Sequence, residues 1–323
     1  MKIKFLTVVA AGIAMLGGVA LHAQTTTMER EFSEFTGIEA ANNFDVSIAK
    51  GPFGVQLTVD QVLADCIVSY VKGKVLFLDL DEKAIPKETK KLYKGKNVPP
   101  PVLRAIVYLP ESYIERIKLQ DSATLSANAP LNSNKFDLDL TGTSSIKALS
   151  VNALTSELSL AKKSTAVLTV IAEKNLRVNT EGSSSIKLSQ GSSELSVKTA
   201  NSSVAIISGN TETLDVTSAG SSQVQITSDL KKADLDSGNS SKITLSGTAE
   251  SILARGMNNS VIDASAMPTK KAVCQLSNAE MTVNAADEVK VELVSGGALY
   301  YSGDPDFKIV KILKSTLAPV GTK

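Results

Sequence analysis

The chain has 323 residues, with 34 Lys and Arg against 33 Asp and Glu, two cysteines, no tryptophan and one histidine, His22. A near-neutral chain with no basic block of repeats lacks the electrostatic footprint of a nucleic-acid binder. With its single imidazole at position 22, the chain beyond that point also lacks the commonest catalytic base and metal ligand.

Residues 1–23 read as a secretory leader: Lys2 and Lys4 form a basic start, Phe5 to Leu21 an apolar core, and Ala23 the last residue before cleavage. A membrane anchor is the rival reading of this stretch. Its Gly- and Ala-rich core and the polar "QTTTMERE" after it favour cleavage. No cysteine follows the core, so a lipid-anchor site is not expected, and nothing later is long and apolar enough to span a bilayer. Removing the leader removes two lysines and no acids, which leaves 32 cations against 33 anions, a net charge of −1. Export permits a disulfide, but Cys66 opens an apolar run and Cys274 lies within a strand pattern, so both read as buried free thiols.

From Phe32 to Pro110 the pattern is strand-like but irregular. "FDVSIAK", "VQLTVD", "CIVSYVK", "KVLFLDL" and "VLRAIVYLP" each alternate apolar and polar residues, with "QVLAD" as a single helical turn between them. The segment 24–112 is expected to be either a β cap or the opening coils of a stacked fold, since the end repeats of such folds need a protective face. Residues 81–101, "DEKAIPKETKKLYKGKNVPPP", interrupt it with six lysines: Lys83, Lys87, Lys90, Lys91, Lys94 and Lys96. "PKETKKLY" has the makings of two helical turns with Pro86 at the first position. This loop is either a docking element for an anionic glycan or headgroup or a solvated insertion that shields a sheet edge.

The rest of the chain, 113–305, repeats itself. "GTSSIKAL", "EGSSSIKL", "ANSSVAII", "AGSSQVQI", "GNSSKITL" and "MNNSVIDA" each join a polar turn to an alternating strand. Taking the first apolar residue as an anchor gives Leu125, Ile146, Val167, Ile186, Val204, Val224, Ile243, Val261, Met281 and Leu299. Their spacings are 21, 21, 19, 18, 20, 19, 18, 20 and 18, a mean of about 19. A second apolar column falls eight residues earlier, at Leu138, Val178, Val216, Leu235, Leu253, Val273 and Val291. A third falls two residues after the anchor and includes Leu188, Ile206, Ile226, Leu245, Val283 and Tyr301. Period-two alternation at a 19-residue repeat predicts an all-β parallel β-helix (solenoid) of about ten Ser-rich rungs. Each rung buries its apolar face by stacking at about 4.8 Å, for a rod of about 45–50 Å. An ordinary sandwich of short strands is the alternative, but it has no reason to keep both period and turn composition. Beyond Gly303 the chain is expected to add one last strand within "DPDFKIVKIL" at 304–313, leading into the tail 306–323, and then fray.

The order of these signals resembles the putative auto-transporter adhesin, head GIN domain family. The resemblance runs through Phe35, Ile38, "FDVSI" at 44–48, Gly51, "VQLTV" at 55–59, Leu63, Ile67, "VLFLDL", "IVYLP" ending at Pro110, the Ser-rich rungs and "YYSGDP" at 300–305. It implies a right-handed single-stranded β-helix at a cell surface or in a periplasm, and it brings no catalytic motif. The 81–101 insertion and "KKSTAVLTV", with Lys where other rungs have Gly or Asn, depart from the pattern.

Three functional readings are open. The first is a non-enzymatic exported binding or adhesion module that acts through the lateral surface of the coil on an envelope or host glycan or protein. The second is a polysaccharide-active enzyme, for which Asp215 and Asp234 on neighbouring rungs are the best carboxylate pair available. The third is an envelope spacer. Few aromatics to stack sugars and no His or clear Lys partner for any serine weigh against the second, and no regular Thr column of the kind an ice-binding face needs is present. No catalytic or cofactor-binding residue is expected, and no metal residue either: beyond His22 there is no histidine, the two cysteines are far apart in sequence, and no loop has the oxygen-ligand spacing of a calcium site. The Ser/Asn turn column reads as structural, with "DSA" at Asp121–Ala123 a chance-level match to an O-glycosylation acceptor.

Overall fold

A computed structural model describes residues 24–321, so the expected leader 1–23, with His22 and the cleavage site after Ala23, lies outside the described residues. The described chain is all-β, a parallel solenoid of about 11 turns whose stacked coils lie about 19 residues apart. Its repeating unit is a long bent strand. Ser145–Leu160, Thr165–Thr180, Ser185–Thr199, Gln223–Ser237, Lys242–Met257, Val261–Ser277 and Glu280–Val294 each run 15 to 17 residues and lie in parallel ladders with the rungs on either side. Straight, a strand of that length would reach about 50 Å. The inward–outward alternation instead breaks once in the middle, as at exposed Glu173 and Lys174, and the chain turns a corner there.

The rungs are closed by a tight polar turn with a buried serine behind it. Ser164, Ser184, Ser203 and Ser222 are no more than 1% exposed, and each hydroxyl donates back to the carbonyl three residues earlier: Ala161, Glu181, Ala200 and Ala219, at 2.8–2.9 Å. In the next two rungs the donation goes one rung down, from Ser241 to Ser218 O and from Ser260 to Ser237 O. The serines thus satisfy buried carbonyls where the ladder is interrupted. On the outside of the same turns, Asn258 donates to Asn239 at 3.0 Å and Asn278 to Asn259 at 3.0 Å, a short amide ladder along the axis. Each of these turns contains a residue with positive φ, filled by Gly142, Lys162, Gly182, Asn201 and Gly220 in succession. At Gly182 a Cβ would lie 2.8 Å from the Lys162 carbonyl of the rung below, so glycine is required there for space as well as for conformation.

The inward columns correct the anchor list. Leu125, Ile146, Ile186, Val224, Ile243, Met281 and Leu299 face the core, each at most 2% exposed. Val167 does not: it is 45% exposed, and Ala166 points inward in its place. Val204 and Val261 likewise give way to Ala205 and Ile262, Ile206 is 42% exposed, and in the second column Ile252 and Ala254 flank Leu253 while Ala272 and Cys274 flank Val273. The reason is phase. In a strand a one-residue slip moves every side chain to the other face, and where two neighbours are both apolar, as at Ala166–Val167, Val204–Ala205 and Val261–Ile262, residue type alone does not say which of them points inward. With the pairing register applied, Ile146, Ala166, Ile186, Ala205, Val224, Ile243, Ile262, Met281 and Leu299 form one column spaced 20, 20, 19, 19, 19, 19, 19 and 18.

At the N-terminal end the stacking order departs from chain order. Gly37–Ala40 and Asp45–Lys50 lie parallel beside Arg116–Leu119 and Thr124–Ala127. Val75–Leu80 and Leu103–Leu109 add the next rung outward. Three strands then run antiparallel: Gly54–Asp60 on Leu103–Leu109, Thr25–Glu31 on Gly54–Asp60, and Ile67–Lys72 on Val75–Leu80. The 3-10 turn Gln61–Cys66 buries Leu63 at this end. The 81–101 loop is tied down there as well. Its short helix Lys87–Leu92 follows Pro86, and Ile85 and Tyr93 pack on the core. The Tyr93 hydroxyl donates to Asp60 Oδ2 at 2.8 Å, and Asp60 is 2% exposed. Burial and that carboxylate push the Tyr93 phenol above its ordinary pKa. The six lysines of the loop are all exposed.

At the other end Asp306–Leu313 pairs with Glu280–Val294, and residues expected to fray instead form a strand, Thr316–Pro319, on Ala298–Ser302. Both cysteines are free and buried, and burial pushes the Cys274 thiol up to about 12.

Candidate binding groove

Counting residues across each bent strand explains where the lateral surface is concave. From the first inward column to the second, Ala166 to Val178 spans 12 residues, and so does Ile262 to Cys274. The four rungs between them, Ile186 to Val197, Ala205 to Val216, Val224 to Leu235 and Ile243 to Ala254, span 11. The register shifts that absorb the extra residue fall at Ala172/Asn175 on one side and between Thr244 and Ser246 on the other. A one-residue-shorter corner repeated over four rungs leaves a trough along the axis, bounded at each end by a longer corner. That trough has a volume of about 700 Å³, and four rungs give it a length of about 19 Å.

Its floor is formed by buried Ala172, Thr211 and Leu230 and by part-buried Ser192. One wall carries Ile171, Gly191, Asn210, Asp229 and Thr248, and the other Glu173, Ser193, Glu212, Lys231 and Glu250. The walls are tied rung to rung. Thr248 donates to Asp229 Oδ1 at 2.7 Å, Ser193 to Glu173 O at 3.0 Å, and Lys231 Nζ to Glu212 Oε2 at 2.8 Å. The Glu212 carboxylate holds the Lys231 ammonium above its ordinary pKa. Gln190, 6% exposed, fixes the corner from inside: its amide donates to Asn210 O at 3.2 Å and accepts from Ser192 at 2.7 Å. Gly209 turns the chain at φ 129, where a Cβ would fall 1.8 Å from the Gln190 carbonyl, and Gly247 repeats the arrangement over Ser228. The groove therefore offers carboxylate, amide and hydroxyl groups to a ligand, with one large apolar side chain, Ile171, 47% exposed at its end.

Beside the groove the outer strand face carries a hydroxyl column, Thr169, Ser189, Ser208, Thr227 and Ser246, in successive register. Thr227 and Ser246 hydrogen-bond at 2.8 Å. Because this column mixes Ser and Thr, no regular Thr column stands out in the sequence. The groove has a linear signal of its own: "GNTE" at 209–212 and "GTAE" at 247–250 are the same corner two rungs apart.

The carboxylate pair singled out from the sequence is real as a juxtaposition. Asp215 and Asp234 are register partners on adjacent strands. Arg255, however, bridges Asp234 and Asp236, with Nη2 on Asp234 Oδ1 and Nε on Asp236 Oδ1, and the two carboxylates raise its pKa further. An aspartate committed to a guanidinium is poorly placed to hold or transfer a proton. Among the described residues no three His, Cys, Asp or Glu side chains gather where they could hold a metal ion, and no helix is long and apolar enough to cross a membrane.

Compared with known proteins, the chain matches the family model described as putative auto-transporter adhesin, head GIN domain, over residues 34–169, 153–228 and 214–305. No curated protein matches it. Among solved structures it is similar to a putative adhesin from Parabacteroides distasonis, at 17% identity and TM-score 0.38, covering 93% of this chain and 98% of the other. A second structure from the same organism, described as a putative lipid binding protein, is 16% identical at TM-score 0.36, covering 92% and 96%. A putative adhesin from Parabacteroides merdae is 15% identical at TM-score 0.33, covering 93% and 97%. At such TM-scores these likenesses carry no functional weight.

Proposed function

The chain belongs to the putative auto-transporter adhesin, head GIN domain family, and from that premise we propose that it is a non-enzymatic, exported binding module of the bacterial cell envelope that holds an envelope or host glycan in its lateral groove. The observation that carries this reading is the trough over four shortened rungs, walled by carboxylate, amide and hydroxyl groups. Sugar hydroxyls are donors and acceptors at once, and such groups recognise them in pairs. A groove bounded at both ends takes a short segment or a branch rather than an endless chain. Export, with residues 1–23 as a leader cleaved near Ala23, belongs to the same proposal. So does the division into leader 1–23, cap or opening coils 24–112, rungs 113–305 and tail 306–323.

A glycan array tests it, with the parent beside Asn210→Ala/Asp229→Ala. Binding of at least one glycan class by the parent, reduced about tenfold or more in the double variant, is the expected result. Equal binding by both would move the site elsewhere on the coil. Release of reducing ends from mixed polysaccharides by the parent would replace the reading with the enzymatic one.

A further inference from the structure

The two ends of the solenoid are finished differently. The N-terminal end is closed over by the turn that buries Leu63 and by the loop that packs Ile85 and Tyr93 on the core. At the C-terminal end no described strand lies beyond Asp306–Leu313 or Thr316–Pro319, each of which pairs on one side only. The inward column that keeps Val291 and Leu293 at 0% exposure continues into Ile309 at 59% and Ile312 at 38%. Val310, Leu313 and Val320 are 57%, 52% and 55% exposed on the same terminal rung. Lys308, Lys311 and Lys314 are interleaved with them. Lys308 is held by Glu288 at 2.6 Å, while no ion pair among the described residues engages Lys311 or Lys314.

We propose that this end of the rod docks on the surface of an anionic lipid bilayer. A patch of branched aliphatic side chains with lysines between them matches a headgroup layer, where apolar groups reach the acyl boundary and ammonium groups meet phosphate. The open strand edge keeps backbone N–H and C=O groups that hydrocarbon cannot satisfy, so the contact is interfacial and the rod stands on the surface without entering it. A second copy is a poorer occupant. Residues 308–314 carry three lysines and no acid, and a two-fold contact would set lysine against lysine. This docking is independent of the groove, which lies on the side of the rod.

The chain has no tryptophan, so one introduced at either end reports on that end alone. In the full chain, Val310→Trp is mixed with vesicles of phosphatidylcholine alone or of phosphatidylcholine and phosphatidylglycerol in equal parts. Val62→Trp, at a 49% exposed position of the closed end, serves as the control. A blue shift of the indole emission of Val310→Trp on anionic vesicles only, absent for Val62→Trp, is the expected result. Adding Lys311→Glu/Lys314→Glu should weaken the vesicle affinity about tenfold or more. Should Val310→Trp fail to fold, Leu313→Trp at 52% exposure gives the same readout. The proposal is overturned if the indole at the open end does not respond, if both ends respond alike, or if the shift appears without vesicles as the protein concentration rises, which would make the face a contact between copies.

Discussion

Lys162 shows how much one position in a repeat can cost. It sits at φ 62 in a turn column that the neighbouring rungs fill with Gly142 and Gly182. The left-handed region is costly for any residue with a Cβ and free for glycine. Lys162→Gly should therefore stabilise the protein by up to about 1 kcal/mol, less what glycine loses through its freer unfolded chain. The converse change, Gly182→Ala, should cost about 1–3 kcal/mol, because its Cβ would press on the Lys162 carbonyl. Urea midpoints of the two variants moving in opposite directions would agree with this; a loss in both would mean that the lysine stem contributes packing that its backbone strain conceals. The departure is visible in the sequence as Lys where other rungs have Gly or Asn, but its sign needs the dihedral angle.

At the scale of one element, the 81–101 loop changes its meaning once its contacts are known. By composition it is a lysine-rich insertion that a short Gly/Ser link could replace without loss. Its apolar residues decide otherwise, since Ile85 and Tyr93 pack on the core and the Tyr93 hydroxyl reaches the buried Asp60 carboxylate. Asp60 Oδ1 has no partner and Oδ2 has two, Tyr93 and the Val102 amide at 3.2 Å. Tyr93→Phe should then cost about 1–3 kcal/mol, the range for depriving a buried polar group of a partner. Replacing residues 84–98 by a Gly/Ser link should cost more, because the end of the core is uncovered as well. Thermal melts of the parent, Tyr93→Phe and the link variant should rank in that order, and a link variant that melts with the parent would restore the reading as a mere insertion.

For the whole molecule the governing fact is stacking. About 11 coils at about 4.8 Å give a rod of about 50 Å, and each coil buries its apolar face only against its neighbours. A charge in a central rung therefore disturbs two interfaces at once. Ile243 is 0% exposed, with Val224 and Ile262 as its register partners. Ile243→Asp should lower stability by several kcal/mol, since nothing in that column can pair with a carboxylate. A fall in Tm with the far-ultraviolet spectrum still β at low temperature is the expected pattern, and an unchanged Tm would contradict the inward placement of this column. The same stacking explains the asymmetry of the ends. Middle rungs are interchangeable in kind, so whatever distinguishes the two tips must come from segments that leave the repeat.

Period and alternation alone determined that this chain is a coil of parallel strands, because a 19-residue repeat of half-apolar strands buries its faces by stacking one rung on the next. They also determined that its turns are Ser-, Asn- and Gly-rich for structural reasons. Phase they did not determine: "TAV" and "SVA" carry the same alternation in either register, and only pairing with the next rung shows that Ala166 and Ala205, not Val167 and Val204, point inward. The groove depends on the same information, since a corner of 11 residues between corners of 12 can be counted only after the phase is known. The fate of the carboxylates was likewise tertiary. Asp215 and Asp234 were brought together by the period, but Arg255 reaches Asp234 from the next rung, and a side chain's partner on a neighbouring coil depends on a rotamer that no linear pattern records.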